Sequence, residues 1–370
     1  MKVRERFLHP GAWWLWALCL AVAASRTTNP LLLCLIIAVA AYVVAARRPM
    51  APWSRSFAVF LKVGLVVIAI RVAFQAIVGA PIGTTVLVTL PSVTLPEAFA
   101  GVRLGGTITA ESLLAALYDG LRLATILACI GAANSLASPA RLLKAVPPAL
   151  YEVGVSVVVA LTFAPQLVAD LDRIRSARRL RGRPVTGMRG AAGAALPVLE
   201  GAMERSVALA AAMDSRGYGR IATQSRTMRR LSATLLLGGL VAALIGSYGL
   251  LDGAAPIALG LPMLVLGAIL AIAGIGLAGR RSTRTRYRPD PWTWPEWGVT
   301  ACALATGTAF VIAGAASVMA LIAPVDPPGW PPLSLPLVAA ILVSVLPAWI
   351  APAPPRPRLS PVRVREEVAA

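Results

Sequence analysis

The sequence predicts an all-α integral membrane protein of about eight transmembrane helices, with a cytoplasmic or interfacial helical segment in mid-chain. Three observations carry this. Apolar residues fill 58% of the 370 positions and charged residues only 14%, unlike the balance of a soluble domain. Apolar runs near the length that a bilayer core demands recur along the chain. Lys and Arg outnumber Asp and Glu by 35 to 16, and they lie in short stretches between those runs rather than on one face of a soluble module. That distribution speaks for membrane orientation and against nucleic acid.

After Lys2, Arg4 and Arg6, apolar residues 11–24, a polar turn at 25–29 and a run at 30–46 read as a helical hairpin. Ala21-Val22-Ala23 resembles a signal-peptidase site, but the second run follows almost at once, so the first span is expected to remain. Trp13, Trp14 and Trp16 suit either an interfacial aromatic belt or core packing. Arg47, Arg48 and Arg55 mark a cytoplasmic return before a third span at 57–79. An outside loop with room for a short extended pair fills 80–110, and a fourth span covers 113–133.

Residues 147–169 are apolar but have basic residues on both sides, so they read as a membrane-embedded or interfacial helix that leaves sidedness unchanged. Four more spans follow at 231–251, 256–278, 298–322 and 333–350. With both termini in the cytoplasm, only Arg26 and Arg103 fall outside and only Arg71 and Arg122 within spans, if Lys62 is counted at the inner end of its span. That partition favours a multi-pass protein of the cell membrane. The chain thus divides into a first membrane part (1–138), a central segment (139–230), a second membrane part (231–351) and a basic cytoplasmic tail (352–370).

In the central segment Leu167, Leu171 and Ile174 form a narrow apolar stripe. Arg173, Arg175, Arg178, Arg179, Arg181 and Arg183 then make the helix polar nearly all round, and Pro184 should stop it. Pro197, a favoured first-turn residue, is expected to open a second helix. At 3.6 residues per turn this helix places Leu196, Leu199, Met203, Val207 and Ala210 within roughly 80° of one another, with Arg216 on the opposite side. Gly217 and Gly219 supply the freedom expected at its C-terminus. Each helix would end in an Arg-Gly pair, Arg181-Gly182 and Arg216-Gly217, where the helix dipole favours a cation. A guanidinium forks well onto a carboxylate, and the neighbouring glycine lets another backbone come near. Two such ends read as a docking surface for acidic grooves, against the plainer reading of headgroup contacts. Arg189-Gly190, in the connection, shows that the dipeptide alone is a weak signal.

Here the sequence resembles a family. Residues 209–218, Leu-Ala-Ala-Ala-Met-Asp-Ser-Arg-Gly-Tyr, look like the second Ala-Met-x-x-Arg-Gly motif of the transmembrane coupling component (T component, EcfT/CbiQ type) of energy-coupling factor transporters. Ala177-Arg-Arg-Leu-Arg-Gly182 is similar to the first motif, Ala-x-x-Ala-Arg-Gly, with Leu180 where that motif has Ala, and Asn29-Pro30 fits the opening hairpin. The resemblance implies a coupling-helix segment in which Arg181, Gly182, Arg216 and Gly217, supported by Ala177, Ala212 and Met213, insert into grooves of two ATP-binding cassette (ABC) ATPase subunits. It further implies that their motion passes to a small membrane S component that releases a vitamin or metal ion inside. The last two spans and the basic stretch 280–288 exceed the shorter family members.

The chemistry left over is sparse. There is no Gly-x-x-x-x-Gly-Lys-Ser/Thr loop, so ATP belongs to partners and no cofactor of the chain itself is expected. His9 is the only histidine, and Cys19, Cys34, Cys129 and Cys302 lie in apolar runs without metal-ligand spacing, as small buried residues. Glu200, Glu204 and Asp214 share a helix with Arg205 and Arg216, as on a solvated, salt-bridged face. Within the spans, Asp119 and Arg122 are three apart and can pair on one helix, or Arg71, near Gln75, can meet Asp119 instead. Gly238, Gly239, Ala271, Gly274 and Gly276 favour close helix packing. Two other classes remain open at this point: a stand-alone membrane enzyme on a lipid, which would need Asp119, and an ion-driven secondary transporter.

Overall fold

The computed structural model describes residues 6–50, 52–78, 80–89, 91, 93–94, 103–138, 141–142, 151–182, 187–217, 225–251, 256–279, 291–316 and 318–355. Its helices are α1 (Pro10–Ser25), α2 (Pro30–Arg47), α3 (Ser56–Val78), α4 (Ala110–Leu136), α5 (Tyr151–Leu180), α6 (Gly187–Ser215), α7 (Arg226–Leu251), α8 (Leu261–Gly279), α9 (Trp294–Ala315), α10 (Leu335–Val343) and α11 (Pro347–Ile350). Between α3 and α4, β1 (Val86–Thr89) pairs antiparallel with β4 (Thr107–Thr109), and β2 (Val93–Thr94) with β3 (Arg103–Leu104). This is an all-α membrane protein. Six helices, α2, α3, α4, α7, α8 and α9, are long and apolar enough to cross a membrane. The first and last of the eight expected spans are apolar but shorter, at Pro10–Ser25 and Leu335–Ile350.

The last span breaks for a local reason. Pro347 has no N–H to give the carbonyl of Val343, and Leu346 N takes that carbonyl instead, at 3.1 Å, in a tightened turn. Helix α9 also ends at Ala315, well before the expected limit of 322.

The chain falls into two compact units, and the four C-terminal spans are shared between them. One unit comprises Met1–Leu142 and Asp290–Ala370, the other Leu143–Pro289. In the first, α1 packs against α4 and α9, and α2 against α4, around Trp16, Leu20, Leu32, Ile36, Phe310 and Ile341. Trp13 and Trp16 are buried core residues, not an aromatic belt, and Trp16 Nε1 donates to the Ser344 carbonyl freed at the α10–α11 break, at 3.2 Å. Cys34 departs from expectation and is exposed.

Polar ties join the N-terminal hairpin to the late helices. Asn29, fully buried, caps α2 by accepting from Leu31 N at 3.0 Å, and it donates to the carbonyls of Ala320 at 3.0 Å and Pro332 at 2.7 Å. Arg6 pairs with the fully buried Glu296 at 2.9 Å and also donates to Thr293. Helix α3 leans chiefly on α4 and, among its described residues, buries only Gly64. The contact is close: a Cβ on Gly120 would lie 3.1 Å from Ile68 Cα.

In the second unit, α7 and α8 form a hairpin whose backbones meet at glycines. A Cβ on Gly239 would lie 2.8 Å from Ala271 N, and one on Gly267 2.7 Å from Ala243 N. The remaining pair, α5 and α6, builds the site.

Candidate coupling site

Helix α5 carries both the apolar stretch and the basic stretch of the central segment in one continuous rod. Its face of Leu167, Leu171 and Ile174 is half-buried and continues into Arg178. Helix α6 does not open at Pro197 but runs through it. A proline inside a helix removes the donor for the carbonyl four residues back, here that of Gly193. Arg178 Nη2 donates to that carbonyl at 2.5 Å. Glycine at 193 admits the guanidinium, since a Cβ there would stand 2.8 Å from Arg178 Nη1. The first-turn preference of proline is a local rule, and a donor from another helix overrides it. A second tie, the ion pair of Arg205 with Asp170, joins the same two helices. Arg205 therefore turns to α5 rather than to the carboxylates of its own helix.

Both ties run antiparallel, so the two Arg-Gly pairs lie at opposite ends of the hairpin, about 40 Å apart at 1.5 Å per residue along α6. The two ends are built alike. Helix α5 stops at Leu180, before Pro184, which lies outside the described residues, and Gly182 takes a left-handed φ of +68°. Helix α6 stops at Ser215, and Gly217 takes +73°. The last turn is tightened at each: Gly182 N reaches Arg179 O at 3.0 Å, and Gly217 N reaches Asp214 O at 2.8 Å. Arg181 and Arg216 are both exposed, and among the described residues neither enters an ion pair. Ala177 and Ala212 beside them are exposed, Met213 is half-buried, and Leu180 is 90% exposed. Each end thus presents a guanidinium that is unpaired among the described residues, where the helix carbonyls favour a cation, on backbone that a side chain would strain.

Towards the Arg216 end, the apolar halves of α5 and α6 frame a groove of about 620 Å³ lined by Val155, Val159, Phe163, Met203, Leu209 and Met213. The expected stripe on α6 is present but not covered by α5: Leu196, Leu199, Met203 and Val207 are all exposed. In the other unit, the intrahelical pair of Asp119 and Arg122 does not form. Asp119 takes Arg71 of α3 at 3.1 Å, and among the described residues no ion pair includes Arg122. Gln75 donates to the carbonyl of Ala80 at 3.2 Å.

Sequence reasoning passed over several residues that shape the structure. Arg178 had a readable signal, because it continues the 167, 171, 174 stripe at helical spacing. Glu111, buried in the first turn of α4, accepts from Thr85 N at 3.2 Å and fastens the loop before it. It had no signal beyond an acid at a helix start.

Comparison with known proteins adds a family. A family model described as CbiQ, cobalt transport protein, matches residues 8–227. The match takes in both Arg-Gly ends and leaves almost all of α7, and everything after it, outside. No curated protein matches the chain. A match over more than half of the chain, on a fold of apolar spanning helices, bears out the resemblance read from the motifs: this multi-pass membrane protein belongs to the CbiQ family of cobalt transport proteins.

Proposed function

We propose that the chain is the membrane coupling subunit of an ATP-driven importer of the energy-coupling factor type. It has no catalytic step of its own. Arg181-Gly182 and Arg216-Gly217 each enter an acidic groove on one of two ABC-type ATPase subunits, and both termini lie on that cytoplasmic side. The motion of the ATPases passes through α5 and α6 to a small substrate-binding S component in the bilayer, which releases its solute inside. The family description favours a metal ion as that solute.

The observation that supports this best is the duplication. Two exposed arginines, neither in an ion pair among the described residues, close two helices with the same left-handed glycine, at opposite ends of one hairpin. Lipid headgroups would be served by arginines anywhere along the segment. A matched pair of rigid ends suits two copies of one kind of groove.

The test is co-purification from native-like membranes with the chain as bait. Wild type should bring down two ABC ATPases and a small hydrophobic protein, and Arg181→Glu/Arg216→Glu should lose the ATPases and uptake. Retention of both by the double variant refutes the mechanism. Uptake by the chain alone, driven by an ion gradient, would make it a secondary transporter.

A further inference from the structure

We propose that Arg178 is a positioning residue that makes the two coupling ends one mechanical element, by bridging the end of α5 to the proline break of α6. This rests on the coupling role above and adds to it a residue and a route. Among the described arginines of this stretch, Arg178 is the half-buried one. Arg173 and Arg175 keep 82% and 52% of their side-chain exposure, and Arg179 and Arg181 are exposed. An apolar side chain at 178 would continue the stripe of Leu167, Leu171 and Ile174, so packing does not require a guanidinium there.

What requires it is the carbonyl of Gly193. Pro197 deprives that carbonyl of its helical donor, Arg178 Nη2 replaces the donor at 2.5 Å, and the absence of a Cβ at 193 makes room. Arg178 and Pro197 are thus matched across the two helices, and glycine at 193 leaves the guanidinium room to sit on the freed carbonyl.

Their placement sets the consequence. Arg178 stands one helical turn before Arg181-Gly182, so a displacement of that end is delivered to α6 at residues 193–197. There the helix lacks one backbone bond and bends most readily. The Asp170–Arg205 ion pair holds the same helices further along and resists sliding. Load entering at the Arg181 end therefore emerges as a bend in α6, which carries Arg216 at its far end. Without the bridge, a displacement of the Arg181 end would reach α6 at the Asp170–Arg205 pair and no longer at the weakened turn of 193–197, so the bend would be lost.

The experiment uses the complex of this chain with its ATPases in nanodiscs, in a background with the four cysteines replaced by alanine. Spin labels on Ser176 of α5 and Val207 of α6 report the distance between the end of α5 and the far half of α6. Wild type should show a shift in that distance on adding ATP with vanadate. Arg178→Ala and Gly193→Ala should lose the shift while the ATPases stay bound.

Arg178→Ala/Pro197→Ala separates mechanics from folding, because an alanine in place of Pro197 returns the helical donor to the carbonyl of Gly193. The double variant should regain the thermal stability that Arg178→Ala loses and still lack the shift. A normal shift in Arg178→Ala, or recovery of shift and stability together in the double variant, overturns the bridge. Failure of the wild-type chain to bind any ATPase overturns the coupling role, and the bridge with it.

Discussion

Arg71 of α3 donates from Nη2 to Asp119 Oδ2 of α4 at 3.1 Å, between two helices that each have the length and apolarity of a membrane span. The side chains keep 52% and 42% of their exposure, so the pair is not sealed inside the unit, and its value in water would be slight. Inside an apolar span the alternative is a lone charge. Arg71→Leu or Asp119→Leu alone should therefore lower stability in nanodiscs by about 1–2 kcal/mol, discounted for exposure from the cost of a charge at a helix centre. The double variant Arg71→Leu/Asp119→Leu should recover most of the loss, and Arg122→Leu should cost little. A thermal double-mutant cycle with no coupling between 71 and 119 would remove the pair as a structural element.

Glu296 decides whether the late helices are an accessory or a part of the first unit. Its side chain is fully buried, pairs with Arg6, and accepts from His9 N at 3.3 Å and Thr293 N at 3.0 Å. Glu296→Ala leaves Arg6 unpaired and two backbone donors open, and should cost about 3 kcal/mol. A chain cut at residue 289 should fare worse, since Trp16, Ile36 and Leu20 lose the cover of α9–α11. Accumulation of that truncated chain in membranes at wild-type levels would show that these helices are dispensable for the fold.

Those same helices show where the sequence was readable and where it was not. Apolar runs near the length of a bilayer core have little choice but to be helices there, and each of the eight expected spans is apolar and largely helical, six of them long enough to cross, while the last breaks before Pro347 and the one before it stops at Ala315. Partnership between helices is a different matter. Nothing local in Trp16 separates a belt residue from a core residue, because the deciding group is the Ser344 carbonyl freed at a break far along the chain. Pro197 was misplaced for the same reason, its lost hydrogen bond being supplied by Arg178. The two Arg-Gly ends were legible because capping is local: a glycine just past a helical run readily takes the left-handed turn seen at Gly182 and Gly217, whereas Arg189-Gly190, expected in the connection, lies inside α6 and ends nothing. The exposed face of Leu196, Leu199, Met203 and Val207 lies between these cases, since periodicity reveals an apolar stripe without saying what covers it.

Asn29 offers a test in which two conservative changes differ in mechanism. Asn29→Ala removes the cap of α2 and both donors to Ala320 and Pro332, for a loss of about 3 kcal/mol. Asn29→Asp keeps the cap but turns a carboxylate oxygen onto those two carbonyls. It should be at least as destabilised as Asn29→Ala near neutral pH and recover partly in acid, where the protonated carboxyl can donate once. Equal melting temperatures for wild type and Asn29→Asp would mean that the two carbonyls are satisfied from elsewhere.

The α7–α8 hairpin separates glycines that set a contact from glycines that do not. At Gly239 an added methyl would meet the backbone of α8, 2.8 Å from Ala271 N, and backbone cannot swing aside as a side-chain tip can. Gly239→Ala should therefore push the helices apart and cost about 1–3 kcal/mol. At Gly276 a Cβ would meet nothing within 4 Å, so Gly276→Ala should be neutral or stabilise by up to about 1 kcal/mol through helix propensity alone. The two substitutions are chemically identical and lie on partner helices of one hairpin, so their difference in melting temperature isolates the contact. If both variants melt alike, the close approach of α7 and α8 is not what holds this hairpin, and its stability comes from lipid and from the flanking segments instead.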